Sequence, residues 1–433
     1  MKDKQIPATF KIRRLFREID EKIDIVPFIT FAFLSEKQKE YSDNLSQFHE
    51  RYGFTFREYE LLESILEKQR NEDETYLSDL KSSLNALKNS QNNYIKEIYA
   101  RIPENLLNDR EIGKILDIFQ ISIDAKKLYP YTRYRVPAYV KEYDYYEFPL
   151  MKLFSRMVSS NHTPKKVYDP SCRDAQNIVE LENFEEAVLC ERDMDEYYHA
   201  IQNILIHELE NKVTISHKEF LIDETNQSYD TIISIPYLYG RQLKLVDESD
   251  KTEKYAKYNT KNPNYIHLLN LIEHLDDEGL MVTTTTQDLL VKRDAYDIRK
   301  YLIENNLLDM VIDYDTGYRS RDITILVINN HRKTEDILFF KRSRNRLGMP
   351  SRYNLEILKS FNNREAIPKV SDIISKEEII KNDYNLNPKR YVYQLEYESK
   401  DVKIVIKEQE EYTSKIRQLD EEIDGLLKEL RKG

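Results

Sequence analysis

The chain has 433 residues, of which 40% are hydrophobic and 33% are charged, and its formal net charge is −11. This length predicts two or three domains, and this balance of residues excludes an intrinsically disordered chain. Because nucleic-acid-binding domains are more often basic, any contact with DNA is expected to come from local patches or from partner subunits.

The first 128 residues predict a helical N-terminal domain. Apolar residues recur there at spacings of three and four, as at Ile12, Phe16 and Ile19, with charged residues between them. Residues 129–148 hold seven tyrosines together with prolines and arginines. Proline disfavours helix, so this segment is interpreted as a connector between domains. Its side chains either line a domain interface, which we favour, or stack on bases.

From residue 149 to residue 345, helical segments alternate with short β-rich runs. Such alternation predicts an α/β fold with a mainly parallel, Rossmann-like sheet that helices cover on both faces. The predicted strands are Val167–Tyr168, Ala187–Cys190, Thr231–Ile233, Leu280–Thr284, Met310–Asp313 and Ile323–Ile328. The predicted helices between them are Ile201–Leu209, Ile266–Leu275 and Tyr296–Leu302.

The C-terminal region, residues 346–433, is expected to be irregular except for a partner-binding helix over residues 409–432. Six apolar residues follow one another at alternating spacings of four and three: Tyr412, Ile416, Leu419, Ile423, Leu426 and Leu430. This seam, nearly three heptads long, predicts either a coiled coil with another chain or a helix docked on the protein's own core. The sequence leaves both interpretations open.

Several classes of protein are disfavoured by what the sequence lacks. It has no signal-peptide pattern and no run of about 18 apolar residues, so a cytoplasmic location and no membrane partner are expected. Cys172 and Cys190 give neither a disulfide framework nor zinc spacing, and the eight histidines are scattered. No metal site is therefore expected.

Two carboxylates at the ends of predicted strands indicate a candidate cofactor site. The strand Val167–Tyr168 leads into Asp169 and Pro170, and the strand Ala187–Cys190 leads into Glu191, 22 positions after Asp169. In doubly wound sheets, ligands bind beyond the carboxyl ends of strands, and a carboxylate about 20 residues after the first loop accepts hydrogen bonds from ribose hydroxyls. This spacing predicts a ligand that contains a nucleoside.

The loop at this site reads Asp-Pro-Ser-Cys-Arg-Asp-Ala over residues 169–175. It resembles the first motif of the N6-adenine DNA methylases, in particular of the M (modification) subunits of type I restriction–modification systems, where Asp-Pro-x-Cys precedes two glycines. The resemblance implies a methyltransferase sheet that binds S-adenosylmethionine. It also implies that Asp169, Pro170, Cys172 and Glu191 belong to the cofactor site.

Arg173 and Ala175 stand at the two glycine positions of this motif. Glycine serves there because it tolerates positive φ and lets the backbone approach the ligand. Another residue held in that conformation costs roughly 1–2 kcal/mol. The long side chain of Arg173 is also expected to enter the space of the cofactor's methionine part, and its charge would oppose the sulfonium. Cofactor binding is therefore predicted to be weakened or lost.

A second motif follows the strand that begins at residue 230. It reads Ser234-Ile235-Pro236-Tyr237 and resembles the methylase motif in which Asn, Asp or Ser precedes two prolines and an aromatic residue. The resemblance implies a pocket for a base extruded from the duplex. Ser234 and the Ile235 carbonyl would accept hydrogen bonds from the base amine, and Pro236 would hold the turn. Tyr237 would stack on the base, which is worth about 1–3 kcal/mol.

The resemblance continues through most of the chain. The segments that carry it are Phe28–Ser35, Glu273–Val282, Asp297–Ile312, Ile323–Asn330 and Glu378–Tyr391. It implies DNA as the substrate, and specificity-subunit-like and restriction-subunit-like proteins as partners. The cationic run over residues 341–346 either binds DNA phosphates or is a solvated loop.

Three functions stay open on the sequence. We favour a divergent M-subunit-like protein, a pseudoenzyme of a bacterial DNA modification or phage-defence complex, whose methyl transfer is reduced or lost. The second is an active N6-adenine DNA methyltransferase. The third is a purely structural assembly subunit that docks through its N-terminal helices and its C-terminal seam.

Overall fold

The structure is a computed structural model of the chain. The structure describes residues 8–20, 23–102, 109–132, 144–181, 183–218, 226–236, 250–314, 323–341, 350–392, 406, 409–419 and 423. Residues 1–392 form one compact unit, and residues 393–433 form a second.

Helices fill the N-terminal part of the first unit, as the apolar spacing predicts. They are α1 Ala8–Glu18, α2 Val26–Glu40, α3 Leu45–Tyr52, α4 Leu62–Arg70, α5 Thr75–Lys88, α6 Asn93–Ala100, α7 Asp109–Ile121 and α8 Ala125–Thr132, with a 3₁₀ turn at Glu58–Glu60. Local signals set several of their ends. The Asn44 and Asn92 side chains accept hydrogen bonds from the first backbone N–H groups of α3 and α6. Gly53 ends α3 in the left-handed conformation.

The predicted connector is partly helical, which corrects the expectation from its prolines. Its first residues belong to α8, with Pro130 inside the helix, and its last residues begin α9, Asp144–Asn161. The helix persists because its apolar residues pack, with Leu128 and Tyr129 both buried in the N-terminal core. Tertiary packing outweighs the lost backbone bond here. Residues 133–143 lie outside the described ranges.

A mixed sheet forms the second part of this unit. The described strands are β1 Lys166–Asp169, β2 Glu186–Glu191, β3 Val213–His217, β4 Tyr229–Ser234, β5 Leu275–Thr286, β6 Leu308–Tyr314, β7 Ile323–Asn329, β8 Ile337–Phe340 and β9 Ser371–Ile374. Their order is β3-β2-β1-β4-β5-β7-β6-β8-β9. Strands β1 to β5 pair in parallel, β7 runs antiparallel between β5 and β6, and β9 runs antiparallel to β8.

Helices cover both faces of the sheet. In the described part of the chain they are α9, α10 Gln176–Val179, α11 Met194–Ile206, α12 Pro263–Glu273, α13 Asp288–Val291, α14 Tyr296–Glu304, α15 Pro350–Asn363, α16 Lys376–Lys381 and α17 Pro388–Tyr391, with 3₁₀ turns at Asp250–Tyr258 and Arg293–Ala295. Two apolar cores result, one on each face. The predicted α/β fold is confirmed.

The predicted strands match β1, β2, β4, β5, β6 and β7, but three strands were missed. β3 and β9 are short and only partly buried, so their residues lack an apolar run. β8 is a four-residue apolar run, and such a run does not distinguish strand from buried helix. The expectation of irregular structure after residue 346 was wrong as well. In α15, Tyr353, Ile357 and Phe361 recur every four residues and are buried.

Helix α11 belongs to two cores at once. Ala200 and Ile204 pack in the core under one face of the sheet. Ile201, Leu205 and Ile206 pack in the core of the N-terminal helices. The N-terminal helices therefore rest directly on the sheet through α11, which begins just after β2.

The second unit carries the predicted C-terminal helix. Residues 409–419 are helical, and Tyr412, Ile416, Leu419 and Ile423 are all more than half exposed. The remaining seam residues, Leu426 and Leu430, lie outside the described ranges. Across the described residues, no helix combines the length and apolar character needed to cross a membrane.

Candidate functional site

The two motif loops lie side by side at one edge of the sheet. Strands β1 and β4 are parallel neighbours, with Val167 opposite Thr231 and Tyr168 opposite Ile232. The strand order runs in opposite directions on either side of this pair, and such a switch point opens a crevice at the carboxyl ends of the strands. Asp169 ends β1 and Ser234 ends β4. The topology thus brings the predicted cofactor and base residues together.

Asp169 is fully buried in this crevice. Its Oδ1 accepts a hydrogen bond from the Ser171 N–H at 3.1 Å, and its Oδ2 accepts one from Asn177 Nδ2 at 3.0 Å. Burial, aided by the nearby charge of Glu191, raises the pKa of Asp169 to about 7 against the lowering effect of these bonds. This carboxyl therefore changes its charge near neutral pH.

The loop after Asp169 keeps the backbone form that glycine normally provides. Arg173 has a φ of 53° and Ala175 a φ of 59°, both in the left-handed region. The turn is closed by a hydrogen bond from Ala175 N–H to the Cys172 carbonyl at 2.7 Å, and Cys172 N–H donates to the Cys190 carbonyl at 3.0 Å. The conformation is the one expected of the two glycines, at a cost of roughly 1–2 kcal/mol for each replacement.

Glu191 organises the loop from the neighbouring strand. It is fully buried at the end of β2. Its Oε2 accepts a hydrogen bond from Arg173 N–H at 2.8 Å, and its Oε1 accepts one from Asp193 N–H at 2.7 Å. The carboxylate therefore holds the backbone of the loop and the start of the next helix together.

Arg173 adds a long side chain to the loop without changing the path of its backbone. The residue is 7% exposed, so a long cationic side chain is buried within the loop. Pro170, Cys172 and Ala175 are buried beside it. Because Arg173 and Ala175 replace two glycines, the loop contains more side-chain volume than the glycine-containing motif would.

The base side of the crevice is described up to Pro236. Ser234 and Ile235 are buried, and Pro236 is partly exposed. The Ser234 hydroxyl has no hydrogen bond of normal geometry, yet it is near enough to Asp169 to favour that group's charged form. Tyr237 lies outside the described residues, as do residues 342–346 of the cationic run.

The profile of the N-6 DNA methylase family matches residues 142–400 of the chain, more than half of its length. The chain belongs to this family. No curated protein matches the chain in sequence.

Solved structures of similar fold agree with this N-6 DNA methylase assignment. The type I restriction–modification methyltransferase subunit of Streptococcus thermophilus superposes with a TM-score of 0.68 at 16% identity, over 89% of this chain and 98% of that one. A modification subunit from Vibrio vulnificus YJ016, described as part of a proposed type I restriction enzyme, has a TM-score of 0.55 at 13% identity, over 86% and 92% of the two chains. At these identities the likeness establishes an M-subunit-like fold.

Two features of this member of the N-6 DNA methylase family were not predicted. Asn177, in α10, holds the Asp169 carboxylate, and only its position soon after the loop could have suggested this role. Asp174, within the loop, accepts a hydrogen bond from the Tyr129 hydroxyl at 3.5 Å, and its carbonyl accepts one from Asn203 Nδ2 at 2.9 Å. These contacts tie the loop to α8 and α11. The run of tyrosines marked the segment around Tyr129 as unusual, but it did not indicate the loop as its partner.

Proposed function

We propose that this chain is a divergent M-subunit-like component of a bacterial type I DNA modification or phage-defence complex, in which methyl transfer is reduced or lost. The proposal rests on the buried Arg173 in a loop that otherwise has glycine geometry. The fold and the paired motif loops support descent from a DNA methylase. The loop's contents support the loss of activity.

The residues fit one part of S-adenosylmethionine and oppose another. Glu191 is a buried carboxylate at the strand end where a ribose would lie, and Asp169 is buried next to it. Arg173, in contrast, places a guanidinium in the loop that would face the sulfonium. The arginine charge has the same sign as the sulfonium, and its long side chain adds volume to the loop where the methionine part would lie. The fit to the cofactor is therefore incomplete.

The base site retains part of its chemistry. Ser234 supplies a buried hydroxyl and Ile235 a carbonyl next to it, both suited to accept hydrogen bonds from an exocyclic amine. Pro236 and Tyr237 would complete the turn and the stacking face. An extruded base could bind here even if no methyl group is transferred.

The proposed partners are specificity-subunit-like and restriction-subunit-like proteins. The similar structures are named as subunits of type I systems, which suggests assembly rather than independent action. In the C-terminal unit, Tyr412, Ile416, Leu419 and Ile423 expose an apolar seam. An exposed heptad seam is suited to pairing with a helix of another chain.

An active N6-adenine DNA methyltransferase is the alternative that a specific observation favours. Because Arg173 and Ala175 already adopt positive φ, the backbone N–H groups of the loop follow the path expected of two glycines. An arginine side chain that moves aside would then permit binding. A purely structural assembly subunit is the third possibility, favoured by the exposed C-terminal seam.

Calorimetric titration with S-adenosylmethionine separates these functions. We expect no binding at micromolar concentrations for the unaltered chain, and restored binding in the double variant Arg173→Gly, Ala175→Gly. Lys369→Gly is the matched control, because Lys369 is an exposed basic residue with a φ of 66° outside this loop. Micromolar binding by the unaltered chain would overturn the proposed loss of activity. No binding by the double variant would place the defect elsewhere than in this loop.

A further inference from the structure

Helix α1 presents a strongly basic face in a chain of net charge −11. Its four cationic residues, Lys11, Arg13, Arg14 and Arg17, fall within seven positions, and its single acidic residue is Glu18. All four cations are exposed. The local charge is thus opposite in sign to that of the whole protein.

The geometry of α1 fixes this face outward. Ile12 and Phe16 are buried in the N-terminal core, one helical turn apart. With 3.6 residues per turn, Lys11, Arg14 and Arg17 lie about 120° or more from the midpoint of those two side chains, whereas Arg13 lies at the edge of the buried face. Arg14 pairs with Glu18 at 3.2 Å, but both side chains are about half exposed or more, and such surface pairs are worth little. Arg14 can therefore exchange this partner for another anion.

Contacts within the fold place α1 near the proposed cofactor loop. The Arg13 guanidinium carbon lies 5.8 Å from the centre of the Tyr131 ring, and the Phe16 ring lies 5.9 Å from the same ring. Two residues earlier in α8, the Tyr129 hydroxyl donates to Asp174 of the loop. A short helix thus separates the basic face from the crevice at the sheet edge.

We propose that Lys11, Arg14 and Arg17 on α1 form a surface that binds the phosphate backbone of duplex DNA. This inference rests on the proposed function, which makes DNA the substrate, and adds to it the surface by which an acidic protein holds a polyanion. Phosphate contacts position a protein on the duplex without reading its sequence. The surface therefore works beside a partner that supplies specificity.

A basic amphipathic helix can also bind an anionic membrane, but α1 exposes a single large apolar side chain, Phe10, rather than an apolar face. Membrane-surface helices bury their apolar side in the lipid. On α1 that side, Ile12 and Phe16, is already buried within the protein. Duplex DNA needs only the outward cations, so the observations favour DNA.

The test uses the full chain and a fluorescein-labelled duplex of about 30 base pairs with an arbitrary sequence. Binding is followed by fluorescence anisotropy from about 50 to 200 mM salt. The variant is Lys11→Gln, Arg14→Gln, Arg17→Gln. Each phosphate contact contributes about 0.9 to the magnitude of the slope of log K against log salt concentration. One contact is therefore worth about eightfold in affinity at 0.1 M salt relative to 1 M salt. We expect at least one contact to be lost, with a shallower slope.

A matched control removes three exposed lysines from other helices: Lys81→Gln, Lys96→Gln, Lys381→Gln. It changes the net charge equally, so it should keep a slope close to that of the unaltered chain. An unchanged thermal midpoint in both variants separates lost contacts from lost folding. Binding of the unaltered chain to vesicles of phosphatidylglycerol and phosphatidylcholine tests the membrane alternative.

The outcomes distinguish this inference from the proposed function. A loss in the α1 variant alone supports the surface. Equal binding by the unaltered chain, the α1 variant and the control would overturn the surface and leave the DNA role intact. Absence of binding by the unaltered chain at about 50 mM salt would overturn both. Tighter binding to vesicles than to DNA would also overturn the inference.

Discussion

The raised pKa of Asp169 leads to a prediction about stability and pH. In the unfolded chain this carboxyl titrates at its ordinary value of 3.8, whereas in the folded protein it titrates at about 7. Between these values the folded protein binds a proton that the unfolded chain has released. The free energy of unfolding therefore falls as the pH rises through this window, and it levels off above about pH 7.

The substitution Asp169→Asn removes this titration and keeps the shape of the side chain. The Oδ1 atom of the introduced amide would still accept the hydrogen bond from Ser171. The new N–H group would face Asn177, whose Oδ1 has no hydrogen-bond partner in the structure and could turn to accept it. A shift of about three pKa units corresponds to about 4 kcal/mol at 1.36 kcal/mol per unit. This is the gain expected for the variant at pH 8, and it shrinks to about 1.6 kcal/mol at pH 5.

Urea unfolding at pH 5, 6, 7 and 8 measures the effect. The difference between Asp169→Asn and the unaltered chain should grow by about 2–3 kcal/mol across this range. Asp124→Asn is the control, because a hydrogen bond from Lys127 lowers the pKa of Asp124 and its titration falls below this window. Curves for Asp169→Asn and the unaltered chain that stay parallel from pH 5 to pH 8 would refute the reasoning.

Other predictions concern single contacts, each measured by urea unfolding at pH 7. Thr283→Val should stabilise the protein by about 1 kcal/mol, because it removes a buried hydroxyl that has no hydrogen-bond partner. Thr231→Val, one strand away, should destabilise it by about 1.5–3 kcal/mol, because its hydroxyl donates to Asp230 at 2.6 Å. Equal effects of the two valines would contradict this account. Gly53→Ala should cost more than about 2 kcal/mol, since φ is 75° and the added Cβ would lie 2.3 Å from the Asn92 nitrogen. A smaller cost would mean that the turn relaxes.

The sequence was enough to predict six strands of the sheet and the position of two candidate site residues at strand ends. Alternation of strand and helix, with Asp169 and Glu191 at the ends of two strands, follows from apolar patterning and fixed topological rules. The positive φ at Arg173 follows from the glycines of the motif that it resembles. Apolar patterning, topology and the conformation of a family motif are retained even when sequence identity is low.

Contacts between distant segments could not be predicted in the same way. Nothing in the sequence pairs Tyr129 with Asp174, because 45 positions separate them and the contact depends on how α8 packs. The strand β9 joins the sheet through backbone bonds to β8, and such bonds require little from its side chains. The burial of Arg173 likewise depends on its surroundings in space rather than on its neighbours in sequence.

Helix α11 has a consequence for how the protein unfolds. Because Ile201, Leu205 and Ile206 complete the core of the N-terminal helices while Ala200 and Ile204 complete a core of the sheet, neither core can lose α11 and remain intact. The helical half and the sheet half of residues 1–392 should therefore melt in a single cooperative transition. Deleting the N-terminal helices would expose the apolar residues of α11 that they cover. The shortened protein would therefore be prone to aggregation.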